Sequence, residues 1–275
     1  MTRIALFQST TGIDSEKNAA SLEKAIAEAA AGGAEMLFTP EMSGLLDRDS
    51  ARASSKIRPE EDDEVLARCK EAARRERIWL HLGSLAVVVG DGKVANRSFV
   101  IDREGEIRAR YDKIHLFDVD LPTGESWRES NVYSGGKGVV LVNGTPVGKL
   151  GLTICYDLRF PGLFARLAES DADVIAVPAA FTVPTGRAHW HILLRARAIE
   201  AGLFVVAAAQ VGKHEDGRQT FGHSLVVDPW GDVLLDMGDE PGVGFADIDL
   251  KRISDVRSRI PALSHRRPIP EAVSL

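Results

Sequence analysis

One cysteine, one glutamate and one lysine carry most of the reactive potential of this sequence. Cys155 ends the apolar run Lys149-Leu-Gly-Leu-Thr-Ile-Cys155, which reads as a buried strand. Tyr156-Asp-Leu-Arg-Phe-Pro-Gly162 and an amphipathic segment follow it. A thiol at the carboxyl end of a strand, entering a turn before a helix, stands where α/β sheets place their active sites. Backbone N–H groups just after such a nucleophile can bind a developing oxyanion. The competing reading is a buried structural cysteine, the commoner fate of a free thiol. Cys69 lies in the charged helical stretch Val65-Leu-Ala-Arg-Cys-Lys-Glu-Ala-Ala-Arg and reads as structural or solvent-facing.

A thiol with a pKa of about 8.5 is mostly protonated at neutral pH, so nucleophilic work needs a base or a nearby positive charge. Glu41 directly follows the apolar run Met36-Leu-Phe-Thr-Pro40, where an unpaired charge is costly to bury. A helix-capping or solvent-facing glutamate is the alternative. Lys113 sits in Arg110-Tyr-Asp-Lys-Ile-His-Leu-Phe-Asp-Val-Asp-Leu121, an apolar stretch studded with charge that is unusual for a solvated loop. Beside Glu41 it would hold the carboxylate charged and offer an ammonium to an oxyanion; alone, such a lysine is more often a surface residue.

The elements that must position these groups follow a faint internal repeat. Ala34-Glu-Met-Leu-Phe-Thr-Pro40 echoes Ala172-Asp-Val-Ile-Ala-Val-Pro178. Ser98-Phe-Val-Ile-Asp-Arg-Glu-Gly-Glu-Ile107 echoes Ser224-Leu-Val-Val-Asp-Pro-Trp-Gly-Asp-Val233, each a hairpin signal. After the repeated proline stands Glu41 in one copy and Ala179 in the other. Residues 3–8 and 149–155 read as strands, 18–31 and 163–169 as helices, 61–77 and 189–201 as second helices, and 78–89 and 203–210 as the strands after them. Each half is thus strand, helix, strand, helix, strand, hairpin. That pattern predicts a layered α/β protein, two sheets face to face with helices outside.

Composition narrows the remaining classes. The 275 residues carry a net charge of −6, which offers no excess positive charge for nucleic acid. With no linker or low-complexity break, residues 1–275 read as a single domain. No apolar run approaches the roughly 20 residues of a membrane span, and the N-terminus lacks the pattern of a signal peptide. Two isolated cysteines do not make a secreted disulfide framework, so a reducing cytoplasm is expected. No Gly-x-x-x-x-Gly-Lys loop is present and no cofactor is implied. His189-x-His191 invites a metal reading, but residues two apart on a helix face different directions, so no metal site is expected.

Together, Phe38-Thr-Pro-Glu41-Met, Tyr111-Asp-Lys113-Ile-His-Leu-Phe and Leu152-Thr-Ile-Cys155-Tyr-Asp-Leu-Arg-Phe-Pro161 resemble the nitrilase, or carbon–nitrogen hydrolase, superfamily. The resemblance runs from Arg3 to about Pro268. It implies an α-β-β-α sandwich of two similar halves and a Glu-Lys-Cys triad at Glu41, Lys113 and Cys155. It also implies a second glutamate, matched by Glu129 in Trp127-Arg-Glu-Ser130, with Glu125 a nearby competitor. His189-Trp-His-Ile-Leu-Leu-Arg-Ala-Arg-Ala-Ile-Glu200, Ala207-Ala-Ala-Gln210 and Phe221-Gly-His-Ser-Leu-Val-Val-Asp-Pro-Trp-Gly231 look like the Nit branch. That branch includes amidases of deaminated glutathione and ω-amidases of 2-oxo-dicarboxylic monoamides, and Leu194-Arg-Ala-Arg-Ala-Ile-Glu200 and the Ala207-Ala-Ala-Gln210 run look closer to the former. The implied chemistry is hydrolysis of a small-molecule amide to a carboxylic acid and ammonia through a thioester on Cys155, with the Tyr156 N–H as an oxyanion donor. Nitrilase, carbamoylase and non-catalytic interaction roles stay open. Arg159 is the candidate for a substrate carboxylate, against an internal ion pair with an acid such as Asp157. Phe181 and Thr182 are candidates for the pocket wall. The resemblance further suggests a homodimer or larger homo-oligomer.

Overall fold

Alternating burial along the strand Thr2–Gln8 sets the layering. Ile4 and Leu6 belong to one apolar cluster, and Ala5 and Phe7 to another. A strand buried on both faces must lie between two layers. The computed structural model describes residues 1–120, 124 and 126–274, and in it the first sheet runs Gly242–Ile248, Thr2–Gln8, Met36–Phe38, Trp79–Val88, Val94–Ile101, Ile107–Asp112, with Arg58–Pro59 beside the Trp79–Val88 strand. The second runs Val233–Asp236, Leu225–Val227, Phe204–Ala207, Val174–Ala176, Gly148–Leu152, Leu141–Thr145.

Each sheet is built alike. Three parallel strands lie together, an antiparallel hairpin extends one side, and one antiparallel strand closes the other. The inner residues Ile4, Leu6, Met36 and Phe38 share a cluster with Leu150, Leu152, Val174 and Ala176, so the two sheets face one another. Outside the first sheet lie the helices Ser15–Ala31 and Glu64–Glu76, which bury Leu22, Ile26, Leu66 and Cys69. Outside the second lie Pro161–Glu169 and Val183–Ala201, which bury Phe164, Leu167, Trp190 and Leu194. The result is the expected four-layer α-β-β-α sandwich.

The repeated hairpins share their turn chemistry. Asp102 Oδ1 accepts from the backbone of Glu104 and Glu106, and Asp228 Oδ1 from Trp230 and Asp232. Gly105 and Gly231 take φ of 80° and 93°, a left-handed conformation that favours glycine.

Three local expectations need adjusting. The strand expected to reach residue 155 ends at Leu152. The helix expected from residue 189 starts at Val183, because proline is tolerated in a first helical turn. The strands Leu141–Thr145 and Gly242–Ile248 lie outside the elements expected from the repeat.

Candidate active site

The three strand-end residues meet. Glu41 follows Met36–Phe38, held by the Thr39 N–H donating to the His81 carbonyl and by Gln210 Nε2 donating to the Glu41 carbonyl at 2.9 Å. Lys113 directly follows Ile107–Asp112, with its own N–H on the Asn96 carbonyl. Cys155 opens the short 3₁₀ turn Cys155–Arg159, with its N–H on the Pro178 carbonyl. Its φ of 47° is a left-handed conformation that costs a non-glycine residue roughly 1–3 kcal/mol. The turn is anchored by Asp157, fully buried, which accepts from Tyr111 Oη at 2.7 Å and from the N–H of Ile154 and of His115.

At the centre, Lys113 Nζ lies 3.0 Å from Glu41 Oε1 and 2.9 Å from Glu129 Oε2. Asn96 Nδ2 donates to the same Glu41 oxygen at 2.9 Å and to Glu129 at 3.3 Å. The Ala180 N–H donates to Glu41 Oε2 at 3.0 Å, and the Phe117 N–H donates to Glu129. The Cys155 thiol hydrogen-bonds Glu41. Burial pushes the Glu41 carboxyl up, but the Lys113 charge and hydrogen bonds from Cys155, Lys113 and Asn96 outweigh it and hold the group below its ordinary value. Burial opposes the Lys113 charge, but Glu129 and Glu41 overcome it and raise its pKa well above normal. Burial, then the Glu41 charge, pushes the Cys155 thiol well up. The resting site is therefore a thiol beside a carboxylate and an ammonium.

A cavity of about 300 Å³ opens over these groups. All eight residues singled out in the sequence line it: Glu41, Lys113, Cys155, Glu129, Tyr156, Arg159, Phe181 and Thr182. Glu125 lies outside the described residues. Phe117 packs edge-on against Tyr156 with ring centres 5.1 Å apart, which makes one wall aromatic. Arg159 does not pair with Asp157, whose oxygens are taken. It stands 5.5 Å over the Phe181 ring and 3.3 Å from His189 Nδ1, with no carboxylate partner among the described residues. Arg48 and Arg218, which also line the cavity, lie over Trp127, and Arg218 pairs with Asp216.

The carbon–nitrogen hydrolase profile matches residues 3–258. The chain belongs to the carbon–nitrogen hydrolase family. It is 39% identical over 273 residues to the deaminated glutathione amidase of Yersinia enterocolitica, covering 98% of this chain and 94% of that one. Among solved structures, the NitFhit protein of C. elegans superposes with a TM-score of 0.89 at 39% identity, over 97% of this chain and 65% of that longer one. An amidase from Nesterenkonia sp. AN1, carrying the product of Michael addition of acrylamide at its active site cysteine, superposes with a TM-score of 0.79 at 28% identity, over 95% and 98%. This hydrolase is thus an enzyme of the amidase kind, of the Nit branch and the nitrilase fold. No helix among its described residues is long and apolar enough to cross a membrane.

Sequence reading missed the contributions of Asn96 and the Ala180 N–H. Asn96 sits in Val94–Ile101, a strand buried along nearly its whole length, and a single amide there carries no mark of a site residue. Ala180 acts through its backbone, which leaves no trace in residue type. Cys69 is fully buried and unpaired with Cys155. Burial pushes its thiol far up, which keeps it inert at neutral pH.

Proposed function

We propose that this hydrolase cleaves the amide of deaminated glutathione by covalent catalysis at Cys155. The observation that carries the reading is Glu41, buried and charged, in contact with both the thiol and Lys113. Glu41 takes the thiol proton as sulfur attacks the carbonyl carbon. Lys113 and the Tyr156 N–H receive the oxyanion. Glu41 then gives its proton to the leaving nitrogen, the C–N bond breaks, and a thioester remains. Glu41 next takes a proton from water as the hydroxide attacks the thioester, and returns it to the departing Cys155 sulfur. Glu129 holds Lys113 in place. A primary amide releases ammonia; deaminated glutathione releases cysteinylglycine and 2-oxoglutarate.

Charge placement favours the larger substrate. Deaminated glutathione has a carboxylate at each end, and Arg159, Arg48 and Arg218 all line the cavity. Guanidinium groups bind carboxylates bidentately. A 2-oxo-dicarboxylic monoamide offers one carboxylate only. Phe181 and Thr182 form the wall beside Arg159. We further propose a reducing, cytoplasmic setting, supported by two buried unpaired cysteines, and a homo-oligomer, supported by exposed Ile192, Ile199, Val233 and Leu234.

The test is 2-oxoglutarate release from deaminated glutathione, beside 2-oxoglutaramate, simple amides, a carbamoyl amino acid and a nitrile. Deaminated glutathione should have the highest kcat/KM, and Cys155→Ala should abolish turnover while staying folded. Higher kcat/KM on 2-oxoglutaramate would move the assignment to an ω-amidase. Full activity in Cys155→Ala would remove the covalent mechanism.

A further inference from the structure

We infer that this chain carries a divalent transition-metal site, of the kind zinc occupies, formed by His191, His223 and Asp236 and separate from the reaction cavity. One ligand atom from each of the three lies within 4.8 Å of the others. His191 Nε2 is 2.9 Å from Asp236 Oδ2, and His223 Nδ1 is 2.8 Å from Asp236 Oδ1. Two imidazoles and a carboxylate form the donor set that zinc and its neighbours take, with water completing the coordination. None of the three residues lines the cavity. The two histidines that the sequence sets side by side turn apart: His189 faces Arg159, while His191 faces Asp236.

The site is built from distant parts of the chain. His191 comes from the helix Val183–Ala201, His223 from the turn before Leu225–Val227, and Asp236 from the end of Val233–Asp236. His223 is held at a φ of 54°, flanked by Gly222 at 75° and pinned by its N–H on the Gly238 carbonyl at 2.7 Å. Strain of this kind persists only where the surroundings enforce it, and it gathers at ligand clamps. The Gly238 N–H donates to Asp236 Oδ1 at 3.0 Å and orients the carboxylate, as outer groups orient metal ligands. Phe221 stacks on the His223 ring at 4.5 Å and meets His191 edge-on at 6.1 Å, so an apolar wall backs both imidazoles. Without metal, each imidazole N–H donates a hydrogen bond to Asp236. A cation takes those two nitrogens when each neutral ring's single proton moves to its other nitrogen, a change of tautomer through solvent. The side chains are about a third exposed, which leaves room for water ligands.

The experiment is zinc titration against a chromophoric chelator in the Cys155→Ser background, which removes the active-site thiol as a competing ligand. One equivalent should bind, at least tenfold more weakly after His191→Ala, His223→Ala or Asp236→Asn, while His189→Ala binds as the parent does. Thermal melts in chelator check that these variants fold. On the unsubstituted histidines, ¹⁵N imidazole resonances of His191 and His223 should shift with zinc and that of His189 should not. That reading needs no variant. Chelation of otherwise unmodified protein should leave amide hydrolysis unchanged. Absence of binding at 100-micromolar-order free zinc, or an equivalent insensitive to all three substitutions, overturns the site.

Discussion

At the residue scale, the chemistry turns on which of two acids holds the proton. Glu41 lies below its ordinary value of 4.5 and Cys155 well above the ordinary thiol value. The base is ready at neutral pH and the nucleophile is not, so deprotonation must accompany attack. kcat/KM should then stay level through neutrality and fall only below pH 4.5, as Glu41 takes up a proton. The same sign governs stability: the contribution of the depressed Glu41 pKa is present above 4.5 and is lost as pH falls through the folded value. Glu41→Gln should cost roughly 10²–10⁴ in kcat, the range for a lost general base. It should also shift the pH midpoint of Cys155 alkylation downward, because the carboxylate opposing the thiolate is gone and Lys113 remains. An alkylation midpoint that rises, or an acid limb above pH 5, contradicts this charge arrangement. Part of the triad was legible one residue at a time: Cys155 by its place after an apolar strand, and Glu41 by the cost of a charge directly after Met36–Phe38. Neither Cys155 nor Lys113 stood out as more than a candidate alone, since a buried cysteine and a surface lysine are each ordinary until their neighbours are known.

At the element scale, the site depends on where strand ends are allowed to lie. Gly83, in Trp79–Val88, supports the Glu41 segment directly: its N–H donates to Thr39 Oγ1 at 2.9 Å. An added Cβ there would stand 1.9 Å from the Thr39 carbonyl oxygen and 2.6 Å from that of Pro40, both backbone. The same Cβ would stand 2.7 Å from Pro178, the repeat partner of Pro40. No side-chain rotation relieves the backbone clashes, so Gly83→Ala must shift the strand end carrying Glu41. Overpacking of this kind costs about 1–3 kcal/mol, and a shift near 1 Å costs on the order of 10² in rate. We expect a melting temperature lower by several degrees and a kcat reduced at least tenfold. Gly90→Ala is the control, since nothing lies within 4 Å of a Cβ at that position and both quantities should hold. An unchanged kcat in Gly83→Ala would show that Glu41 is not positioned through this contact. The repeat was legible here because Asp102 and Asp228 close the same turn. The early start of Val183–Ala201 was not, because Pro184 and Gly186 fall in its first turn and the helix was expected only from residue 189.

At the scale of the whole molecule, the two halves are matched strand for strand but closed differently. The second sheet is closed by Leu141–Thr145, which immediately precedes its first parallel strand. The first sheet is closed from the far end of the chain, by Gly242–Ile248 pairing antiparallel along all of Thr2–Gln8. Residue type gave little sign of this, because a glycine-bearing strand gains its identity from the edge it covers. The consequence is a sharp boundary in tolerance to truncation. Removing residues 265–275 takes away, among the described residues, exposed chain and one surface ion pair, Arg266 with Glu169, worth at most about 1 kcal/mol. Ending the chain at Pro241 exposes the unpaired edge of Thr2–Gln8 and strips away Ala246, Ile248, Ile253 and Val256, all buried. At roughly 1.5–3 kcal/mol for each fully buried large aliphatic side chain, that loss rivals the 5–15 kcal/mol that typically separates native from unfolded. The shorter cut should leave a soluble, active enzyme whose melting temperature moves by no more than a few degrees. The longer cut should give protein that aggregates through the open strand edge and shows no cooperative melt. An active, cooperatively folding product ending at Pro241 would mean that the first sheet holds Glu41 without the strand that covers its edge.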